Sequence, residues 1–212
     1  MPERAGAIAG VVLAAGTSTR MGRNKLFMEL EGETLVRRVV GRASKAGVDP
    51  LIVVVGHEAE RVKRALEGIR YQAVFNADYE RGVNSSLRAG IHAASESPAR
   101  AAIVVLADMP YVTKEMMATL VEKYRRSDAP LVISDYAGIN APPMLYDRSL
   151  FPELAQSEGQ GCGKHVVKRH LHEAESASWP AEALTDLDAP EDYARVKASI
   201  EGQSFDKLRT GP

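Results

Sequence analysis

Short apolar runs rich in β-branched residues alternate along the chain with longer stretches whose apolar positions recur every three to four residues. The runs Ile8–Ala14, Leu51–Val55, Tyr71–Phe75, Ala102–Leu106 and Leu131–Ser134 predict strands. They are continuous instead of alternating, as in strands buried on both faces of a parallel sheet. Between them, Thr34–Ala46 sets Leu35, Val39 and Ala43 on one face, with Gly47 placed to end the helix. Glu58–Leu66 groups Val62, Ala65 and Leu66, and Ser85–Ala94 follows the third run. Thr113–Arg125 has Thr113 as its N-cap and Met116, Met117, Leu120, Val121 and Tyr124 as its stripe. Strand then helix, repeated four times, predicts an α/β doubly wound fold with right-handed crossovers.

Beyond residue 134 the rhythm breaks. Pro142, Pro143, Pro152 and the glycines at 159, 161 and 163 predict an irregular, substrate-facing region. Pro190–Ile200 predicts a closing helix, with Pro190 near its first position and Glu191 and Asp192 in its first turn. With no repeat, low-complexity block or long linker, residues 1–200 read as one domain and 201–212 as a loose tail.

Composition narrows the partners. Of 212 residues, 45% are hydrophobic and 26% charged, in the range of soluble globular proteins. Lys and Arg total 27 against 28 Asp and Glu, so there is no net basic field for nucleic acid or an anionic membrane. The one cysteine, Cys162, excludes an internal disulfide and suits a reducing, cytoplasmic compartment. Residues 5–16, AGAIAGVVLAAG, read either as the core of a secretory signal or as a buried strand entering a glycine turn. The run is too short to cross a bilayer, which takes about 20 apolar residues. Glu3 and the Ala/Gly richness weigh against the signal, and so does the segment that follows.

In open α/β sheets ligands bind beyond the carboxyl ends of the strands, so chemistry is sought there. After the first run comes LAAGTSTRMGRNKL, residues 13–26. Gly16 and Gly22 allow a phosphate to approach the backbone, while Arg20, Arg23 and Lys25 supply cations, a composition suited to a polyphosphate. A cleaved signal would discard half of that loop. It is neither a Walker loop nor a G-x-G-x-x-G turn. After the fourth run comes LADMP, where Asp108 is placed to coordinate a hard cation such as Mg2+, or simply to cap a loop. TDLDAPED at 185–192 offers Asp186 or Asp188 as a second metal ligand, or an acidic helix start.

LAAGTSTRMGRNKL, GVNSSLRAG at 82–90, LADMP and DLDAPED together resemble the molybdenum cofactor cytidylyltransferases, in order, over about residues 8–200. That family belongs to the nucleotidyltransferases with a Rossmann-like, mostly parallel sheet. The resemblance implies Mg2+ between Asp108 and Asp188 (or Asp186), with Arg20 and Lys25 on the triphosphate. It implies the backbone of Leu13, Ala14, Ala15 and Gly16 beneath the nucleotide. Ala15 gives LAAG where the related guanylyltransferases resemble LAGG, which leans towards CTP. Ser86 matches a serine placed near the cytosine, with Asn84 and Ser85 as further hydrogen-bonding neighbours; helix N-capping explains all three equally well.

The resemblance further implies transfer of CMP to a phosphate-bearing acceptor such as molybdopterin, and hand-over to a molybdenum enzyme or its chaperone. The chain departs from the family at GQGCGKHVVKRH, 159–170, where relatives often carry a Gly-Asp-x-Gly-Ala-Arg type segment. Gln160 replaces the acid, and Cys162 and Lys164 enter as candidate acceptor contacts. Rival readings are a guanylyl- or uridylyltransferase, or a nucleotide-binding regulator that has lost transfer. Cys162 with His165 suggests a thiol nucleophile without an orienting residue, and His165, His170 and His172 match no zinc spacing.

Overall fold

The computed structural model describes residues 4–17, 24–185, 192–198 and 200. In chain order the elements are β1 (Ile8–Ala14), β2 (Glu29–Leu30), β3 (Glu33–Thr34), α1 (Leu35–Ala43), β4 (Leu51–Val55), α2 (Ala59–Ala65) and β5 (Gln72–Phe75). They continue with α3 (Val83–Ser95), β6 (Ala101–Leu106), α4 (Lys114–Arg126), β7 (Leu131–Tyr136) and β8 (Ile139–Asp147). The last are α5 (Phe151–Leu154), α6 (Lys164–His170) and β9 (Glu175–Trp179). Among the described residues, seven strands form one sheet in the order β5-β4-β1-β6-β8-β7-β9, and β2 and β3 form a separate hairpin. Only β8 runs against its neighbours β6 and β7. The architecture is the Rossmann-like, mostly parallel α/β sheet that the sequence predicts.

The continuous apolar runs have a simple cause. In β1, Ile8, Val12 and Ala14 point into one core layer while Ala9, Val11 and Leu13 point into the other. A strand alternates faces, so burial on both requires every position to be apolar. The first layer is closed by α1 and α4, through Leu35, Val39, Met117 and Leu120. The second is closed by α3, α5 and α6, through Leu87, Ile91, Leu154 and Val166. Each such side chain, fully buried, contributes roughly 1.5–3 kcal/mol. Helix α3 lies directly on β1, since a Cβ at Gly90 would overlap the Val11 side chain. Thr113 caps α4 by accepting from the Met116 N–H at 3.2 Å.

Several boundaries move. Helix α1 ends at Ala43, and the chain turns through Gly47 at φ +76. Strand β5 lies at the sheet edge with Gln72, Ala73 and Phe75 exposed, so it is not buried on both faces. The larger correction is beyond residue 134, where an irregular region is expected and β8 is found. Its prolines sit where the β7–β8 register shifts, between Val132 and Ser134, so the missing N–H groups interrupt little pairing. Their carbonyls are used instead: Ser134 donates to Pro143 O at 2.7 Å and Tyr136 to Pro142 O at 2.9 Å. Residues 192–198 are helical and Val196 and Ile200 reach the core, while Pro190 and Glu191 lie outside the described residues. No helix among the described residues is long and apolar enough to cross a membrane.

Candidate active site

A cleft of about 580 Å³ opens beyond the carboxyl ends of β1 and β6. Leu13, Ala14, Ala15, Gly16 and Thr17 form its floor, and β1 is locked to its neighbours up to that point. Ala107 N–H donates to Leu13 O at 3.0 Å and His57 N–H to Ala15 O at 3.2 Å. Lys25 opens a 3-10 turn capped by Asn24, whose side-chain oxygen accepts from the Leu26 N–H at 3.1 Å. Leu26 is buried and the Arg61 guanidinium lies 3.9 Å over the Phe27 ring, so the turn is pinned from both sides. Glu58, at φ +50, receives hydrogen bonds from Arg61 and Asn24, and these hold its carboxyl below the usual range.

Across the cleft, Lys25 Nζ meets Asp108 Oδ2 at 2.7 Å, with the two side chains 15% and 24% exposed. Asp108 owes its position to the turn after β6. Met109 and Val112 in that turn are buried, and Arg42 of α1 donates to Pro110 O at 2.8 Å and Val112 O at 2.7 Å. Burial, with Arg38 nearby, pulls the Arg42 guanidinium down to about 10, which leaves it charged at neutral pH. Arg42 lies in a helix stripe where its sequence position carries no signal of this role.

The three polar residues at the start of α3 separate in space. Ser86 lines the cleft. Its hydroxyl accepts from Asn76 Nδ2 at 3.0 Å, and Asn76 also donates to Ser85 Oγ at 2.9 Å. Ser85 donates to the carbonyls of Asp78 and Gly82, both at 2.8 Å, so it fastens the turn before the helix. Asn84 bonds to the 158–163 loop. Neither Asn84 nor Ser85 lines the cleft. Asn76, which does not line the cleft but holds the Ser86 hydroxyl, is a residue that the sequence reading missed. Its position directly after β5 was the available signal.

Gln160, Gly161 and Cys162 form the opposite wall together with Asn140, Ala141 and Pro142. Lys164 starts α6, is exposed, and is not among the lining residues. Burial and then the nearby Asp108 charge push the Cys162 thiol up to about 12, so at neutral pH it is a thiol and not a thiolate nucleophile. His165 is exposed; His170 contacts Glu153 at 2.9 Å and His172 contacts Glu173 at 3.1 Å. Among the described residues no trio of His, Cys, Asp or Glu could hold a metal. Arg20, Asp186 and Asp188 lie outside the described residues.

This arrangement places bare backbone, a cation, a carboxylate and a fixed hydroxyl around one cleft at the strand ends. The family model described as MobA-like NTP transferase domain matches residues 10–174. The chain is 28% identical to the purine catabolism protein PucB of Bacillus subtilis over 205 residues, 90% of this chain and 96% of that one. It is 33% identical to a probable molybdenum cofactor guanylyltransferase of Opitutus terrae over 132 residues, 62% of this chain and 63% of that one. A Mycobacterium tuberculosis protein solved in complex with manganese superposes with a TM-score of 0.73 at 25% identity, covering 92% of this chain and all of that one. The chain therefore belongs to the MobA-like NTP transferase family and is a nucleotidyltransferase.

Proposed function

We propose that the chain transfers CMP from CTP to a phosphate-bearing acceptor of the molybdopterin type. An acceptor phosphate oxygen attacks the α-phosphorus, a new P–O bond forms, and the α–β bridging bond breaks to release pyrophosphate. The observation that carries this reading is Lys25 facing Asp108 at 2.7 Å over the Leu13–Gly16 backbone. Lys25 neutralises the triphosphate, the backbone bears the nucleotide, and Ser86, oriented by Asn76, meets the base. Positioning and charge neutralisation account for such transfers without a covalent intermediate.

The donor set also bears on the metal. A partly buried carboxylate beside a lysine, over a floor of bare backbone, suits a hard cation completed by phosphate oxygens. Mg2+ would be held by Asp108, with Asp188 or Asp186 as a second ligand, and when bound it supplies further neutralisation of the triphosphate.

CTP is favoured by Ala15. Ala15 is buried in the floor of the cleft, where the LAAG motif carries a methyl and the guanylyltransferase pattern a glycine. Transfer of GMP is the second reading, supported by relatives named as guanylyltransferases. Receipt of the product by a molybdenum enzyme or its chaperone follows from the same reading. Pyrophosphate release measured with molybdopterin, Mg2+ and each of the four nucleoside triphosphates decides between them. CTP is expected to lead by about tenfold, the scale on which one methyl discriminates. A GTP preference would transfer the assignment to guanylyl transfer, and no release with any nucleotide would remove the transfer reading.

A further inference from the structure

Asn84 is 2% exposed, is not among the residues lining the cleft, and makes three side-chain hydrogen bonds to a loop some 75 residues further along the chain. Its amide nitrogen donates to Glu158 O at 2.6 Å and to Gln160 O at 3.1 Å. Its amide oxygen accepts from the Gly163 N–H at 2.9 Å. The Asn84 backbone N–H adds a fourth contact, to Gly159 O at 3.2 Å. Two carbonyls and one N–H fix which way the carboxamide faces, and no other short side chain offers two donors and an acceptor in that arrangement.

The loop needs holding. Gly159, Gly161, Cys162 and Gly163 all have positive φ, and for Cys162, at +46, that conformation is intrinsically disfavoured. The two segments also touch backbone to backbone, since a Cβ at Gly82 would stand 2.6 Å from Gly159 O. Arg88, one turn further along α3, adds a contact to Ser157 O at 3.2 Å.

The loop presents Gln160, Gly161 and Cys162 to the cleft, on the wall facing Leu13–Gly16 and Lys25. A reaction with two substrates fills both sides of one cleft, and the floor and Lys25 side takes the nucleotide. We infer that Asn84 is a positioning residue that latches the 158–163 loop in its strained form as the acceptor-side wall, joining it rigidly to the helix that carries Ser86. This rests on the transferase reading for its kinetic part and on geometry alone for the latch.

Cys162 is the sole cysteine of the chain, it is buried, and it adjoins the latched Gly163, so it reports the loop directly. The test uses the full chain and its Asn84→Ala variant, with a maleimide probing Cys162 and a thermal melt run beside it. Labelling is expected to speed up about tenfold, the scale of losing hydrogen bonds at a buried polar group. In pyrophosphate release, the KM for molybdopterin should rise about tenfold while the KM for CTP stays within about twofold. Labelling within twofold of wild type would overturn the latch, and so would labelling that speeds up only in step with lost global stability. Equal rises in both KM values would overturn the acceptor-side assignment. If Asn84→Ala fails to fold, Asn84→Ser, too short to span both carbonyls, carries the same readouts. If wild type releases no pyrophosphate, the transferase reading fails, whereas the labelling contrast still decides the latch.

Discussion

At the amino ends of the strands, Arg148 donates to the carbonyls of Ser97 and Ala99 at 2.9 and 2.7 Å, and Arg37 to those of Ala65 and Glu67, both at 2.9 Å. Tyr124 and Arg4 converge on Asp147, the last residue of β8, which pairs with the first residue of β6. At the carboxyl ends, Lys25 and Asp108 face each other across a cleft floored by backbone. The amino-end hollow is the larger of the two, about 760 Å³ against 580 Å³. It is lined by Arg37, Lys45, Asp49 and Arg70 among others. Volume and charge therefore do not mark the site. At one end Arg148 and Arg37 are bonded to carbonyls of the chain's own turns; at the other a cation and a carboxylate converge at an opening, beside glycine-rich backbone.

The comparison breaks most sharply at Asp108. Asp108→Ala is expected to lower pyrophosphate release by about 10³-fold, on the scale of removing one electrostatic stabiliser from a reacting centre. Asp108 is partly exposed, so circular dichroism and the melting temperature should change little. Lys45→Ala and Arg70→Ala in the larger hollow should leave the rate within about twofold, as surface changes do. Loss of activity from either would show that the amino end does chemistry after all.

Lys25→Ala comes next. The KM for the nucleotide should rise about 10- to 100-fold, the scale of a hydrogen bond to a charged group. Lys25→Arg should recover little, because the ammonium is a compact point charge on a pinned turn. An unchanged nucleotide KM with unchanged turnover would remove Lys25 from the site.

How much of this was legible in the sequence depends on distance along the chain. Strands β1 and β4 end where their apolar runs end, since burial on both faces is a property of consecutive residues. Lys25 and Asp108 are legible because each lies in a short motif that begins where such a run ends. Strand β8 was not, because its prolines read as breakers until the neighbouring register shift is known. Asn84 and Arg42 were not either. A carboxamide on a helix acquires its meaning from carbonyls 74 to 76 positions away, and Arg42 from carbonyls 68 and 70 away. Lys25 and Asp108, which the structure brings together, stand in motifs readable from the sequence, while the long-range partners of Asn84 and Arg42 are not.

A smaller effect tests the other end of the sheet. Arg148→Ala should cost about 1–2 kcal/mol in urea unfolding, since exposed charged hydrogen bonds are worth less than buried ones. Transfer kinetics should not move. A kinetic change larger than the stability change would mean that the two ends are coupled through β6.

The smallest effect lies at Asp147, and pH gives it a sign. Burial alone would raise its carboxyl, but the Tyr124 hydroxyl at 2.5 Å, hydrogen bonds from Ser149 and the Arg4 charge outweigh burial and hold it below 3.8. Burial, and then the same contact, push the Tyr124 phenol up to about 12, so the hydroxyl remains a donor throughout the neutral range. A carboxyl depressed in the folded state binds fewer protons there than in the unfolded chain, so its contribution is complete above the ordinary carboxylate pKa. It is lost as pH falls through the folded value. Asp147→Asn should therefore cost about 1 kcal/mol at pH 7, one charge-assisted hydrogen bond becoming a neutral one. Protonated Asp147 resembles asparagine, so the gap between wild type and variant in urea unfolding should narrow steadily below pH 3.8. A gap that stays constant from pH 7 to pH 3 would mean that shape, and not the carboxylate charge, holds the amino end together.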